Sequence, residues 1–427
     1  MSQDRIPPFY QSPSGKASML AMLTRAMADP ASVVPETIYH EWALKLPGPR
    51  SPLVICHPDD VRTVLVDKGD NFDRSRQLRL LMRRAWGDGL AAATGESWVA
   101  QRQAATPAFR PKAVAAAVPT MVDATSRVAA GWDQEKPLEL RAAMGRIVVE
   151  IVMGTLLTGL EDFDRDQFVA DIPGFVRDIG RFGLLDFLPI SDTMLDRLRG
   201  MGQTPEETRL RALAARLAAA RAQPPDAVQD LPALLRGIGP LVDNIMGTFP
   251  AAFETSAVGA SWALYLLALY PEWQDALRAE ATQHGEGPPQ LALEIAQEAL
   301  RLYPPSAFHV RAAMKPLTLR GFPLAKNQVV MIPVYALHRH RQLWDRPDVF
   351  DPTRFVPGAS YDRGAFLPFG AGPRVCIAAQ FALTEIATII STLVKTYRFT
   401  PTGPDPVVSL QISTHSTTGL NVSVSPV

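Results

Sequence analysis

This 427-residue chain has two cysteines. One of them, Cys376, lies in the stretch FLPFGAGPRVCIAAQF from Phe366 to Phe381, behind Gly370, Gly372 and Arg374 and ahead of small residues. A thiolate serves as a nucleophile or as a metal ligand. Zinc asks for four ligands from Cys, His or acidic side chains. No second cysteine is near, and His338 and His340 stand two apart in HRH with no cysteine beside them. A nucleophilic cysteine needs a histidine base, which the sequence leaves open. GAG alone suggests a phosphate loop, but no strand precedes it and the glycine pattern is incomplete.

One further chemistry accommodates every residue of the stretch. A lone thiolate can be the axial ligand of haem iron. Its loop must then lie flat against the ring, and Gly370 and Gly372 permit that close approach. Arg374 has the reach for a charge-assisted bond to a propionate. Ala378 and Ala379 let the next helix start beneath the ring, with its positive end toward the sulfur. The pattern Phe369-x-x-Gly372-x-Arg374-x-Cys376-x-Ala378 resembles the haem-ligand signature of the cytochrome P-450 family, with alanine at a position where glycine is usual.

Other segments carry the same resemblance. EALR places Glu298 and Arg301 three apart on one helical face. With DPTRF downstream, Glu298, Arg301 and Arg354 resemble the family's buried structural triad, in which charges must be paired. WVAQR sets Trp98 and Arg102 at i and i+4, resembling the propionate clamp, and Arg311 in HVRAA resembles a third propionate contact. Ala251-Ala252-Phe253-Glu254-Thr255, within a long apolar helix, resembles the oxygen-activation motif. There the small Ala251 leaves room for dioxygen, the Thr255 hydroxyl serves its activation, and Glu254 relays protons. Pro250 removes a backbone donor to the Met246 carbonyl and is expected to bend the helix, either to open the oxygen groove or for packing.

The elements that must position these residues are mostly helices. SPLVICHPDDVRTVLVD reads as a strand ending near Cys56, then a turn and a helix with Pro58 at its start. Cys56 itself reads as a small buried hydrophobe. Helical patterns cover Trp98–Ala105, Leu138–Leu157, ETRLRALAARLAAARA, Leu241–Leu269, QLALEIAQEALRL and FALTEIATIISTLVKTY, while QPPDAVQD reads as a loop. LTLRG and QVVMIPV read as short strands and the tail alternates like a hairpin. In RSRQLRLLMRRAWGDG, Leu78, Leu81, Met82 and Ala85 form one apolar stripe, expected to roof the substrate pocket. Arg76, Arg79 and Arg83 are expected to face water, with Arg74 or Arg84 left as a possible anchor. The fold class is mainly α with small β-sheets. The resemblance implies a triangular helical prism with haem b (iron protoporphyrin IX) buried between the long distal helix and the Cys-loop helix. A single domain over residues 1–427 is expected, the first 50 or so being the least diagnostic.

Composition narrows the partners. Hydrophobic residues make up 47%, and Lys+Arg equals Asp+Glu at 43 each. A zero formal net charge disfavours wholesale nucleic-acid or anionic-membrane binding. Two cysteines fit a reducing compartment. The N-terminus has no signal-peptide pattern, and the most apolar run, Ala257–Tyr270, is shorter than the ~20 residues that span a bilayer. A cytoplasmic protein without a membrane anchor is expected. Only 51 residues follow Cys376, so electrons are expected from separate proteins, a ferredoxin and its NAD(P)H-dependent reductase, docking near Arg102, Arg110 and Lys112. The activity implied is hydroxylation of a small apolar substrate with dioxygen, its pocket at Phe253, Ala307, Phe308 and around Ile412. The rival readings are a peroxide-driven, dehydrating or coupling enzyme on the same scaffold, and a haem sensor or electron carrier without substrate. The acid–threonine pair favours dioxygen activation over both.

Overall fold

The computed structural model describes residues 5–12, 30–48, 51–67, 71–160, 162–179, 204–221, 230–285, 287–411 and 413–427. Ile412, and all but the last residue of the expected QPPDAVQD loop, lie outside them. Helices dominate. The longest, Leu241–Leu269, is apolar on every side over its second half, and Ser256 to Leu269 are all buried. A helix with no polar face belongs in a core. It is the one helix among the described residues long and apolar enough to cross a membrane, and 89% of its most apolar window is buried inside the fold. It packs against the helices Leu140–Thr155, Gln290–Leu302 and Ala379–Thr396. Trp262 fixes its depth by stacking on Tyr303, with ring centroids 3.8 Å apart, while Trp262 Nε1 donates to the Thr414 carbonyl at 3.0 Å.

The helix does not run as one α-ladder. From Phe249 to Glu254 it takes the wider π register, in which each N–H reaches five residues back. The change falls where Pro250 has no N–H to donate, so the bend expected at Pro250 takes the form of a π-turn.

The sheets are small. Five strands lie in the order Ala43–Lys45, Leu53–Ile55, Val329–Pro333, Phe308–Ala313 and Phe72–Asp73. All pairs are antiparallel except Leu53–Ile55 with Val329–Pro333. Cys56 is fully buried in the apolar cluster beneath this sheet, and burial pushes its thiol far up. The tail forms the hairpin Val408–Leu410 with Thr414–Ser416, then a last strand, Asn421–Pro426, between Leu138–Glu139 and Tyr397–Pro401.

The helix Arg76–Trp86 starts where Ser75 Oγ accepts from the Leu78 N–H at 3.2 Å. Of the expected stripe, Ala85 is buried and Leu78, Leu81 and Met82 are half-buried, while Leu80, outside it, is buried as well. The helix packs on the Leu241–Thr248 and Arg165–Ile179 segments, and those neighbours decide which face is covered.

Candidate active site

Cys376 lines a cavity of 390 Å³ between the distal helix and the start of Ala379–Thr396. Its loop is a tight structure closed by the Cys376 N–H donating to the Phe369 carbonyl at 2.9 Å. Gly370 and Gly372 both have left-handed backbones, at φ 72° and 73°. Gly372 is the more constrained, because a Cβ there would come within 1.9 Å of the Leu65 carbonyl oxygen. Burial raises the Cys376 thiol pKa, while the Ala378 N–H bonded to its sulfur and the Arg102 charge pull it down. That hydrogen bond and that charge both favour the thiolate.

One edge of the cavity is crowded with cations. Arg74, Arg102 and Arg374 line it beside Trp98. The Arg374 guanidinium lies 4.1 Å above the Trp98 ring centre and Arg102 lies 5.7 Å from it. Arg311 is not in the lining, but its charge reaches both Arg74 and Arg374. Burial, then Arg374 and Arg311, lowers the Arg74 pKa to about 10. Arg102, Arg311 and Arg374 are lowered too, each mainly by burial. Asp73 is the carboxylate that offsets this group, and its own ion pair is with Arg79 at 3.1 Å. Four partly buried guanidiniums with so little counter-charge suit an anionic ligand. These residues fit a haem: Cys376 would supply its sulfur ligand and the arginines would receive its propionates.

On the distal side, Ala251, Ala252, Thr255 and Ser256 form the wall. Thr255 Oγ1 donates to the Ala251 carbonyl at 2.6 Å. Glu254 faces away from this cavity. It lines a second cavity of 440 Å³ with Arg141, Arg146 and Asp166. Its carboxylate is held by Arg141 at 2.5 Å and by Ser413 Oγ at 2.8 Å. Acid and hydroxyl thus stand back to back, one on each side of the helix.

A match to the cytochrome P450 family covers residues 37–419. The chain belongs to the cytochrome P450 family. It is 28% identical to cyclooctat-9-en-7-ol 5-monooxygenase of Streptomyces melanosporofaciens over 393 residues, covering 83% of this chain and 81% of that protein. Cyclooctatin synthase of the same organism is 27% identical, covering 83% of this chain and 82% of that protein. Cytochrome P450 714D1 of Oryza sativa subsp. japonica is 29% identical, covering 85% and 70% respectively. The architecture is the P450 fold, and P450 monooxygenases are oxidoreductases that use haem, dioxygen, an apolar substrate and redox partners.

In this P450, Glu298 and Arg301 form a fully buried two-point pair, with Nε and Nη2 donating to the carboxylate at 2.6 and 2.7 Å. Arg354 Nε stands 3.5 Å from the same carboxylate, and Arg354 Nη2 donates to the Arg346 carbonyl at 3.0 Å. Arg301 also donates to the carbonyls of His338, Pro347 and Val349, and Glu298 accepts from the Asp351 N–H at 2.9 Å. The triad therefore ties Gln290–Leu302 to the segment leading into the Cys loop.

The structure brings Cys376, Phe369, Arg374, Trp98, Arg102, Ala251 and Thr255 to one cavity. It does not bring there the expected substrate residues that are described, Leu81, Met82, Phe253, Ala307 and Phe308. Phe253 packs in an aromatic cluster with Phe168 and Phe249, at 4.8 and 6.1 Å between ring centres. Ala307 is buried in the core, Phe308 packs against both main clusters, and Pro305, Ser306 and His309 line the cavity in their place. Leu81 and Met82 are absent from the lining, whereas Leu90, Ala91, Gly247 and Thr248 contribute to it. Arg102 turns inward, while Arg110 and Lys112 are exposed.

Two titratable lining residues went unread in the sequence. His309 shares a strand face with Arg311, two residues on, and that alternation was the available signal. Glu385 is a lone acid in the apolar run FALTEIATII. It is buried, hydrogen-bonded to Ser256, with Oε1 unpartnered, and burial lifts its carboxyl pKa to about 8.

Proposed function

We propose that this P450 hydroxylates a terpenoid, with Cys376 as the thiolate ligand of haem b. The observation that carries the reading is the cavity in which the Cys376 sulfur, the arginine edge and the Ala251–Thr255 wall meet. When bound, haem supplies the oxidising power for C–H hydroxylation. The chain's own residues do the rest. Trp98, Arg102, Arg311 and Arg374, joined by Arg74, hold the propionates. Phe369 and Gly370 lay the loop flat beneath the ring. Ala251 leaves space for dioxygen, and Thr255 orients a proton donor toward the cavity. Glu254 exchanges protons with the second cavity, where Arg141 holds its carboxylate in place. A terpenoid is favoured because the wall above the Cys376 side is mostly apolar and because a bacterial relative of similar length acts on cyclooctat-9-en-7-ol.

Electrons reach the site in this proposal from a ferredoxin and its NAD(P)H-dependent reductase, docked at a patch that includes Arg110 and Lys112. A single domain in the cytoplasm completes the reading.

The ligand assignment is tested by spectroscopy. Reduced protein with carbon monoxide should show the red-shifted Soret band of a thiolate-ligated haem. Cys376→Ser should abolish it and Cys56→Ser should keep it; a band that survives in the Cys376 variant removes the assignment. The role of Thr255 is read from coupling. Thr255→Ala should bind haem and consume reductant yet release several-fold more peroxide per product, and parental coupling would make Thr255 merely structural. The substrate class is checked by titrating cyclic terpenoids against fatty acids of equal carbon count. A haem spin shift with the fatty acids alone would overturn the terpenoid reading.

A further inference from the structure

Leu367 opens the ligand loop, and both polar atoms of its backbone are met by imidazole rings. Its N–H donates to His338 Nε2 at 2.8 Å. Its carbonyl accepts from the Gly370 N–H at 3.1 Å and lies 3.4 Å from His309 Nε2. These directions fix the tautomers. His338 Nε2 accepts, so its proton is on Nδ1, which donates to the Arg301 carbonyl at 3.0 Å. His309 Nε2 faces a carbonyl, which can only accept, so that nitrogen carries the proton. Burial keeps both rings neutral, lowering the His338 pKa well below its usual value and that of His309 to about 4.

The two rings come from different supports. His338 is fully buried and binds Arg301 reciprocally, since Arg301 Nη1 donates to the His338 carbonyl at 2.8 Å. Through it the Leu367 N–H is tied to the Glu298–Arg301 pair. His309 belongs to the strand Phe308–Ala313 of the five-stranded sheet, and its ring lies against Gly370, where a Cβ would stand 3.4 Å from Nε2. Helical core and sheet thus grip the two backbone polar groups of one residue. Two residues further on, Phe369 offers the carbonyl that receives the Cys376 N–H.

We infer that His338 and His309 are positioning residues for Cys376: they clamp the Leu367 backbone and so set where the ligand loop presents its sulfur. The clamp stands on the protein's own hydrogen bonds, and only its spectroscopic consequence rests on the haem-thiolate reading.

The test separates the two bonds of His338. His338→Asn keeps a donor near the Nδ1 position and loses the acceptor for Leu367, whereas His338→Gln places a carbonyl near the Nε2 position and restores one. In hydrogen exchange of the full chain, the Asn variant should speed the amides of residues 367–376 about tenfold, the scale of one lost buried hydrogen bond. Amides of Ala379–Thr396 and Leu241–Leu269 should keep parental rates, and the Gln variant should return the loop toward them. In the haem-loaded protein, the Asn variant should lose much of the red-shifted carbon monoxide band and the Gln variant should recover it. Unchanged loop exchange in the Asn variant, or equal acceleration throughout the chain, overturns the clamp. If His338→Asn does not fold, His309→Leu against His309→Gln applies the same criteria, with a smaller loop effect because the His309 bond is longer. Loop amides that loosen while Cys376→Ser still retains the band would leave the clamp standing and remove the haem-thiolate reading instead.

Discussion

Glu298→Ala should lower the unfolding free energy by about 3–5 kcal/mol, the usual cost of stranding one partner of a buried ion pair. Arg301 would keep its charge with no exposure to water and only backbone carbonyls to meet it. Domains of this kind carry about 5–15 kcal/mol in all, so the variant should lose a large share of its stability. Arg301→Lys should fare little better. Lysine cannot reproduce the fork that reaches both carboxylate oxygens and three carbonyls. Denaturant midpoints for the two variants check this, and a loss below about 1 kcal/mol in Glu298→Ala would show that the pair is dispensable.

Gly372→Ala is expected to abolish haem retention while the helical core persists. Gly370 and Gly372 share nearly the same left-handed backbone, so alanine at either costs about 1–2 kcal/mol in conformation alone. Their surroundings differ. A Cβ at 370 meets the His309 ring at 3.4 Å, a contact that a small shift relieves, but one at 372 overlaps the Leu65 carbonyl. Backbone cannot swing aside as a side chain can, so the loop must leave its place. Haem content and far-ultraviolet circular dichroism of the two variants should therefore separate: Gly370→Ala keeps most of its haem, and Gly372→Ala keeps its helices without it. Equal haem content in both would mean that the Leu65 contact does not hold the loop.

What the sequence made legible is what is local in the chain. The Cys loop compresses glycines, an arginine and the ligand into a few residues, and Glu298 and Arg301 lie one helical turn apart, so spacing alone displayed them. Cys56 needed only the rule that a solitary cysteine behind a strand is apolar filling. The substrate wall is another matter. Phe253 is drawn out of the cavity by Phe168, a residue far off in the chain, and Glu254 is claimed by Arg141, 113 residues away. The burial of Leu80, outside the expected stripe, was missed for the same reason. The residues of Arg76–Trp86 permit more than one apolar face, and the burial of Leu80 belongs to the helices packed on it. Arg74 and Arg374 meet only after folding, so their shared edge had no sequence signature.

The π-turn at Phe249–Glu254 has a bearing on insertions and deletions. Such a turn takes up one residue more than an α-turn, so every side chain beyond it is set back by one step, about 100° around the axis. Thr255 stands at the angle that an uninterrupted helix would give to residue 254. Remove one residue from this turn, let the ladder close into α form, and the extra step goes with it, so Thr255 keeps its angle and the carboxylate of Glu254 keeps its side of the helix with Arg141. The buried stretch Ser256–Leu269 would keep its packing. A single codon lost in this turn thus leaves acid, alcohol and the rest of the helix in register, whereas one lost from the α-helical stretch after it would turn the two sides of the deletion by about 100° against each other.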